Sequence, residues 1–417
     1  MTTAIYWFRS DLRLRDNPAF TQACENVESL LPIFIHQDSL ARETQWNFPR
    51  VTKNRQVFLQ ESLQDLGEQL RIRGSDLFEL SGKPLEIFQK LRSQLNVNII
   101  YCEQIEAPEE LTEVTELVNA GFEIKFIWQS SMLDPQSLPF KLNEMPDIFT
   151  QFRQKVEACK LKFSNPIDTP LSIPPLPSNS GQIGSQKSEC SSTIDKSFIG
   201  GESRALSHIE QYFDRRLPDT YKQTRNQLIG MDYSSKFSPW LALGCCSARS
   251  IAKKLTEYEV QYGANDGTYW LWFELLWRDY FRFLHLKYGK KLYQSRGLST
   301  EPNNTFIEKK FIRWISGDTG ESLVDAGMHE LHATGYLSNR MRQIVASYWI
   351  YNMKGDWQAG AAWFESQLID YDVYSNQGNW LYIAGKGTDP RGGRPMNLSK
   401  QTQDHDSDGI YRNMWLS

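Results

Sequence analysis

Through its first 130 residues the chain alternates short apolar runs with longer helical patterns, and this alternation limits the folds open to it. The apolar runs occupy residues 4–8, 30–36, 76–80, 98–102 and 123–128. Helical periodicity fills the gaps, most clearly over 55–71 and 108–120. Strands that alternate with helices form a parallel, doubly wound sheet covered on both faces. We therefore predict an α/β domain over residues 1–130, without an ordinary dinucleotide site, because no GxGxxG motif follows the first run.

The rest of the chain has a different organisation. Residues 164–197 are rich in Pro, Ser and Gly and show no periodicity, which is typical of a surface connector. From residue 200 the pattern is helical almost to the end, with Gly- and Asn-rich turns near 230–238, 263–267 and 375–393. The sequence predicts a connector over 131–199 and a larger all-helical domain over 200–417.

Composition excludes several classes of protein. No apolar run is long enough to span a membrane, and no charged-then-apolar leader opens the chain. The six cysteines show neither CxxC nor metal spacing, so we expect reduced cysteines, no metal site and a cytoplasmic location. The net charge of -4 argues against nonspecific coating of DNA, although the half after residue 199 is net +2, which allows a local basic face. We expect a monomer.

The segment "YWLWFELLWRDYF", residues 269–281, predicts a helix that carries a carboxylate on an aromatic face. The residues on this face are Trp270, Phe273, Glu274, Trp277, Arg278 and Phe281. A glutamate in this setting is either paired or placed for chemistry. The simplest alternative is an i,i+4 salt bridge between Glu274 and Arg278.

Three further stretches carry polar residues in close spacing. In "YSSKFSPWLALG" (233–244), Ser238 and Pro239 predict a helix start with Ser238 as the N-cap. This start is either plain capping or, with the preceding hydroxyls and Lys236, a site for a pyrophosphate. The stretches 333–347 and 368–380 hold Asn339, Arg340, Arg342, Asp370, Asp372 and Asn376. An Arg342–Asp370 ion pair is one interpretation, and hydrogen bonding to the edge of a heteroaromatic ring is the other.

Taken together, these stretches resemble the DNA photolyase and cryptochrome family. The matching motifs run in order over nearly the whole chain: "WFRSDLRLRDNPAF", "YSSKFSPWLALG", "ELLWRDYFRF", "TGYLSNRMRQIVAS" and "WFESQLIDYDVYSNQGNW". Other details are similar to the DASH-type cryptochromes, namely "GYLSNR" with Tyr336, "DYDV", "PDIFTQFRQKVE" and the tail "GNWLYIAGKGTDPRGGR".

The resemblance implies that FAD lies in a U-shape inside the helical domain. The segment that matches the family's phosphate side comprises Tyr221, Ser234, Ser235, Lys236, Phe237 and Ser238. The positions around the flavin ring and its substrate pocket are Arg278, Asn339, Arg342, Asp370, Asp372 and Asn376. Asn376 matches the residue that faces flavin N5.

The same resemblance implies roles for residues of the aromatic helix. Glu274 matches a glutamate beside the pyrimidine dimer, and Trp277 matches the aromatic that packs against the flipped lesion. Such a carboxyl, with its pKa raised by burial, donates a hydrogen bond to a thymine carbonyl. Trp380 and Trp357 match two tryptophans that conduct electrons to the flavin, but the third is missing, since Asn304 and Phe306 occupy its region. Tyr382 stands where some photolyases have a tryptophan.

The expected partners follow from the family. A folate, 5,10-methenyltetrahydrofolate, is the implied antenna, with Glu103 or Glu106 as its contact, although a solvated acidic loop is the alternative. Single-stranded DNA would meet Arg340, Arg391, Arg394 and Lys400. The implied activity is light-driven repair of cyclobutane pyrimidine dimers. A blue-light signalling flavoprotein that binds nucleic acid without repair is the main alternative, and a non-photochemical nucleotide-binding protein is a third.

Overall fold

A five-stranded parallel sheet forms the N-terminal part of the protein. The computed structural model describes residues 2–184 and 197–417. In this part of the chain the strands are β1 (Thr3–Phe8), β2 (Ser29–His36), β3 (Phe78–Ser81), β4 (Ile99–Glu103) and β5 (Glu123–Ile127), arranged in the order β3-β2-β1-β4-β5. All neighbouring pairs are parallel. The predicted doubly wound sheet is confirmed, and each predicted run lies within two residues of a strand.

The sheet is buried on both faces, which explains why its strands are continuously apolar. Along β1, Ile5 and Trp7 join one core with Phe88, whereas Tyr6 and Phe8 join the core shared with the helical domain. The covering helices are α1 (Pro18–Asn26), α2 (Lys53–Ile72), α3 (Pro84–Leu95) and α4 (Pro108–Asn119). Strand order reverses between β1 and β4, so ligands are expected at the carboxyl ends of these two strands.

The remainder of the described chain is helical, as predicted. Its helices are α5 (Phe149–Ala158), α6 (Glu202–Asp214), α7 (Tyr221–Thr224), α8 (Ser238–Ala242), α9 (Ala248–Tyr262), α10 (Asp266–Tyr288), α11 (Glu308–Ile315), α12 (Ser322–Thr334), α13 (Asn339–Ser347), α14 (Trp357–Gln367), α15 (Val373–Ala384), α16 (Leu398–His405) and α17 (Ile410–Leu416). Helix α5 lies inside the predicted connector, and part of the Pro- and Ser-rich stretch 164–197 lies outside the described residues.

The loop after β1 joins the sheet to the helical domain. The Glu202 carboxylate accepts hydrogen bonds from the backbone nitrogens of Leu14 (2.8 Å) and Arg15 (2.9 Å). Arg249 pairs with buried Asp16 at 3.0 Å. Because these contacts link residues more than 180 positions apart, they fix the sheet against the helices that build the site.

Candidate functional site

Glu274 projects from α10 at the rim of the helical domain, and its partner is Arg225 at the end of α7. Helix α10 begins with a capping box between Asn265 and Thr268, and Glu274 lies two turns further along. Its side chain is 32 % exposed and forms an ion pair with Arg225. The Arg225 guanidinium also covers the Trp270 ring, 4.0 Å from its centroid. Burial raises the pKa of Glu274, while Arg225 lowers it.

The alternative salt bridge between Glu274 and Arg278 does not form, because Glu274 pairs with Arg225 instead. Arg278 donates instead to the carbonyl oxygens of Ser130 and Leu241, the latter at 3.2 Å. Burial and the neighbouring charge of Arg282 lower the pKa of Arg278 to about 10. The guanidinium prefers these buried carbonyls because they would otherwise lack donors, and it thus ties α10 to the loop after β5.

Trp277 lies one turn from Glu274 and is held by two other aromatics. Its ring stacks on Phe149 of α5, with 3.7 Å between centroids and 13° between planes. Tyr382 meets it edge-on at 5.4 Å. The sequence reasoning missed Phe149, although an aromatic beside the start of a helix in "PDIFTQFRQKVE" was a visible signal. The resulting wall leaves Trp277 half-buried and rigid.

Arg342 and Asp370 form a buried pair that keeps one acceptor free. Ser338 caps α13 by accepting from the Met341 nitrogen at 3.1 Å, which sets Arg342 in its first turn. Arg342 Nη2 lies 2.8 Å from Asp370 Oδ2. The other oxygen, Oδ1, is buried and has no hydrogen-bond partner among the described residues. The ion pair is therefore confirmed, and an acceptor remains that suits a ring N–H.

Asp372 and Asn376 occupy the start of α15. Asp372 caps the helix by accepting from the Ser375 nitrogen at 2.7 Å and pairs with buried Arg282. Sequence reasoning missed Arg282, which lies one turn beyond Arg278 on α10. Asn376 donates through Nδ2 to the Ala361 carbonyl at 3.0 Å, and its Oδ1 accepts no hydrogen bond within the described residues. Its amide oxygen is thus available to an N–H donor.

Removing the charge of Asp372 should destabilise the protein in a pH-dependent way. Burial raises the pKa of Asp372, but Arg282 and Arg278 lower it to about 2. Because this value is below that of the unfolded chain, about 3.9, the stabilisation is complete above about pH 4 and is lost as the pH falls to about 2. In urea unfolding, the free energy of unfolding of wild type should exceed that of Asp372→Asn above about pH 4, and this difference should shrink by roughly 2 kcal/mol as the pH falls to about 2.

Asparagine at position 372 can still accept the hydrogen bond that caps α15, so the comparison of wild type with Asp372→Asn measures the effect of the charge alone. The control is Asp318→Asn, because the Asp318 carboxylate is 82 % exposed. The free energy of unfolding of this variant should stay close to that of wild type throughout. If the free energy of unfolding of Asp372→Asn differs from that of wild type by the same amount at pH 5 and pH 2, the pKa of Asp372 is not lowered by its arginine partners.

The segment before α8 differs from the prediction. Ser238 is the first residue of a five-residue helix, Phe237 precedes it, and no side chain caps it, so the predicted Ser238 N-cap is wrong. Burial raises the pKa of Tyr336 to about 12, while hydrogen bonds with the Ser238 and Ser234 side chains lower it. These hydroxyls therefore face Tyr336. The Ser235 carbonyl oxygen lies 2.8 Å from His208 Nε2.

Lys236 lines a different cavity from Arg278, Asp372 and Asn376, although its ammonium lies over Tyr336, whose ring Arg342 also contacts. Arg278, Asp372, Asn376 and Trp357 line one cavity of about 440 Å³. Lys236 lines another, of about 420 Å³, together with Tyr233 and Tyr336. Tyr221 is buried, and Glu274 contributes to raising the pKa of its hydroxyl, so Tyr221 lies on the Glu274 side.

The two predicted electron-transfer tryptophans are fully buried. Trp380 contacts Trp314 at 6.3 Å and Phe364 at 5.1 Å between ring centroids. Trp357 donates through Nε1 to the Ser295 carbonyl at 2.9 Å. Asn304, which stands in the region of the missing third tryptophan, donates to the carbonyls of Ile350 and Gly355. It therefore fixes a turn rather than contributing an aromatic ring.

Three arginines lie near one another at the mouth beside Glu274. Arg340 donates to Asn226 Oδ1 at 3.2 Å and stands next to exposed Asn339. Burial lowers the pKa of Arg340, and the charges of Arg225 and Arg394 lower it further. Arg394 also bonds to Tyr382, which contacts Trp277, so positive charge adjoins the aromatic wall.

Two further predicted cations, Arg391 and Lys400, are exposed. Arg391 and Arg394 share the buried carboxylate of Asp389, at 3.2 and 2.9 Å. Lys400 is exposed on α16.

Glu103 ends β4 at the switch point of the sheet. It is 2 % exposed, and its Oε2 has no hydrogen-bond partner among the described residues. Burial and the nearby Asp11 charge raise its pKa to about 8. Glu103 lines the 440 Å³ cavity, whereas Glu106 accepts from Gln104 at 2.7 Å. The free acceptor favours Glu103 over Glu106 as a ligand contact.

Other classes of site receive no support from the described residues. Within residues 2–184 and 197–417, no helix is both long and apolar enough to cross a bilayer. The same residues contain no group of three or more His, Cys, Asp or Glu side chains arranged to hold a metal ion. The described cysteines are free, and Cys190 lies outside the described residues.

Comparison with known proteins gives matches over the whole chain. Residues 4–175 match the family model "DNA photolyase", and residues 270–417 match "FAD binding domain of DNA photolyase". The chain is 41 % identical to "Cryptochrome DASH" of Idiomarina loihiensis over 415 residues, which cover 99 % of this chain and 92 % of the relative.

Two solved structures share the fold. The Synechocystis sp. cryptochrome superposes with a TM-score of 0.94 at 39 % identity, covering 100 % of this chain and 89 % of that one. A bacterial class III photolyase from Agrobacterium tumefaciens gives 0.83 at 25 % identity, with 100 % and 86 % coverage.

Proposed function

Because the chain belongs to the DASH group of the DNA photolyase and cryptochrome family, we propose that this blue-light flavoprotein repairs cyclobutane pyrimidine dimers in single-stranded DNA. The observation that carries the proposal is the half-buried Glu274–Arg225 pair, set between Trp270 and Trp277 at an arginine-rich mouth. A flipped dimer needs an aromatic wall and a few groups that hydrogen-bond to its base edges.

The residues on the inner side fit a flavin ring. The unpartnered Oδ1 of Asp370 suits a ring N–H, and the free amide oxygen of Asn376 suits a second donor. Arg342 holds Asp370 in place through their ion pair. FAD held there in its reduced form would supply the light-driven electron transfer that splitting of the dimer requires.

The residues on the outer side act on the substrate. In its protonated form, which burial favours by raising the pKa of the side chain, Glu274 donates a hydrogen bond to a thymine carbonyl and so stabilises the negative charge that develops on the dimer. The positively charged guanidinium of Arg225 contacts the same carboxyl group. Trp277, fixed by Phe149 and Tyr382, packs against the flipped bases. Trp380 and Trp357 pass electrons inward to restore the reduced state.

The three arginines beside Glu274, namely Arg225, Arg340 and Arg394, predict where single-stranded DNA binds. Arg340→Ala and Arg394→Ala should each weaken binding of damaged and undamaged single strands alike, by ~1 kcal/mol, because phosphate contacts carry no sequence information. Each should also reduce the salt slope by roughly 0.7. Fluorescence anisotropy over a salt series measures both quantities.

The control for the DNA prediction is Arg71→Ala on α2, whose guanidinium pairs with Glu68 and Asp76 and should leave binding unchanged. If Arg340→Ala and Arg394→Ala behave like this control at low salt, the DNA does not enter by this mouth.

The antenna proposal rests on Glu103. Its unpartnered, buried oxygen lines the β1 and β4 side of the same 440 Å³ cavity that Arg278, Asp372 and Asn376 line, and it suits the N–H edge of a pterin. Added methenyltetrahydrofolate should give an absorption band near 380 nm that denaturation removes. Above about pH 8, where the Glu103 carboxyl is ionised, Glu103→Gln should lower folate occupancy by roughly tenfold, since a charge-assisted bond of about 1.5–3 kcal/mol is lost. Equal occupancy of Glu103→Gln and wild type would contradict this contact.

Strand preference has a direct test. Single-stranded and duplex oligonucleotides, each with one thymine dimer, are illuminated with the reduced protein, and restored thymines are counted. The proposal requires faster repair in the single strand, where flipping costs less. Equal rates would contradict the preference, and binding without restored thymines would favour the signalling alternative. We further propose that the protein acts as a cytoplasmic monomer.

A further inference from the structure

The loop 385–394, which follows α15, is built around one buried carboxylate. The Asp389 side chain is 0 % exposed. It accepts a hydrogen bond from the Arg391 backbone nitrogen at 3.1 Å, and its two oxygens lie 3.2 Å from Arg391 Nε and 2.9 Å from Arg394 Nε. Two guanidinium groups therefore share one negative charge, and the pair of arginines keeps a net positive charge for a further anion.

The backbone of this loop is fixed by its return onto the end of α15. The Arg394 nitrogen donates to the Ile383 carbonyl at 2.9 Å and lies 3.1 Å from the Tyr351 hydroxyl, which donates to the same carbonyl at 2.7 Å. Gly393 has a φ of +123°, and a Cβ at this position would lie 1.9 Å from that hydroxyl oxygen. Only glycine allows this close packing, so the folded chain itself sets the position of Arg394.

The Arg394 side chain is held at two of its edges. Asp389 binds Nε, and Nη2 donates to the Tyr382 hydroxyl. The guanidinium also lies 4.2 Å from the centroid of the Tyr382 ring. No described residue accepts a hydrogen bond from Nη1, and the side chain is 26 % exposed. The guanidinium is thus oriented in advance, with one donor group left for an anion such as a phosphate.

We propose that Asp389 is a positioning residue for DNA: it keeps Arg391 and Arg394 in the orientation that meets the phosphates of a single strand. The inference rests on the proposed function, since it concerns the arginines at the mouth beside Glu274. An arginine that must be ordered on binding lowers affinity by about two- to tenfold, and Asp389 removes that loss in the folded protein. A carboxylate that merely stood near the mouth would have the opposite effect, because its charge repels phosphates.

The two roles of Asp389 predict effects of opposite sign on the binding of an undamaged single-stranded oligonucleotide to the FAD-loaded protein. Fluorescence anisotropy measures this binding. Asp389→Asn removes the charge at almost constant volume and should weaken binding by about fivefold, whereas loss of a repelling charge alone would tighten it. When Arg391 and Arg394 are both replaced by Ala, the same substitution should no longer weaken binding. The control is Glu68→Gln, which frees Arg71 of α2 and should leave binding unchanged.

Repair kinetics separate positioning from damage to the fold. With single strands that carry a dimer, Asp389→Asn should raise the KM of repair by about fivefold. Its flavin content, and its repair per absorbed photon at saturating oligonucleotide, should equal those of wild type. A defect in the fold would instead lower the flavin content or the yield, and that result would contradict the positioning role.

Unchanged or tighter binding in Asp389→Asn, with binding still weakened in Arg394→Ala, would overturn the positioning role and leave the DNA site in place. If neither arginine variant weakens binding, the DNA site of the proposed function fails, and the role of Asp389 fails with it. If Asp389→Asn does not fold, Arg394→Lys decides. A lysine keeps the charge but cannot be held at two edges, so binding should fall about as far as in Arg394→Ala. Binding equal to that of wild type would refute the proposal.

Discussion

Arg342→Leu should yield a protein without flavin whose free energy of unfolding is lower by about 3–5 kcal/mol. The reason is the buried Asp370 carboxylate, which has a side chain 1 % exposed and takes its charge partner from Arg342 at 2.8 Å. Without the guanidinium, a buried charge is left alone, and the free oxygen that suits the flavin ring loses its fixed position. Flavin content by absorbance and urea unfolding measure the two effects.

A double variant separates cofactor binding from stability. Arg342→Leu combined with Asp370→Leu removes both charges, so much of the lost stability should return while flavin stays absent. The control, Arg313→Leu, disrupts an exposed pair with Asp318 at 3.9 Å and should cost less than about 1 kcal/mol. Stoichiometric flavin in Arg342→Leu would refute the assignment of this pair to the cofactor.

Glu274→Ala should keep its flavin but repair dimers with a yield lower by roughly tenfold or more, the loss expected for one donor to a developing charge. The side chain faces the mouth with Arg225, and the structure gives it no other strong partner among the described residues. Glu274→Gln retains an N–H donor and should recover part of the yield. Repair per absorbed photon, with flavin content measured in the same samples, provides the comparison.

Glu210→Ala is the matched control, because Glu210 forms an exposed pair with Lys254. A Glu274→Ala protein that loses its colour and unfolds would show that Glu274 serves only as a structural partner of Arg225.

Local patterns in the sequence predicted the scaffold well. The five strands follow from short continuous apolar runs, and the helices over 55–71 and 108–120 follow from a periodicity of 3.6 residues; both signals depend only on neighbouring residues. The resemblance likewise implied a helical FAD-binding domain, which the structure and the comparisons confirm. The Arg342–Asp370 pair was also anticipated, because both residues stand in stretches dense with charge.

Long-range pairing was harder to predict. Local spacing offered only Arg278, one turn away, as a partner of Glu274, but Arg225, 49 positions earlier, meets it because the fold returns α7 to α10. Phe149 and Arg282 were missed for the same reason, since their roles depend on contacts with α10 and α15. The Ser238 cap failed because α8 already begins at Ser238, with Phe237 before it, and a serine before a proline does not reveal at which of the two residues the helix begins.

The most direct test of dimer repair is illumination of the purified, reduced protein with a single-stranded oligonucleotide that carries one cyclobutane thymine dimer. Chromatography of the products counts restored thymines against a dark control. The account predicts many turnovers per protein under blue light, none in the dark, and a yield that falls in Glu274→Ala at constant flavin content. Binding of the oligonucleotide with no restored thymines under light would contradict it.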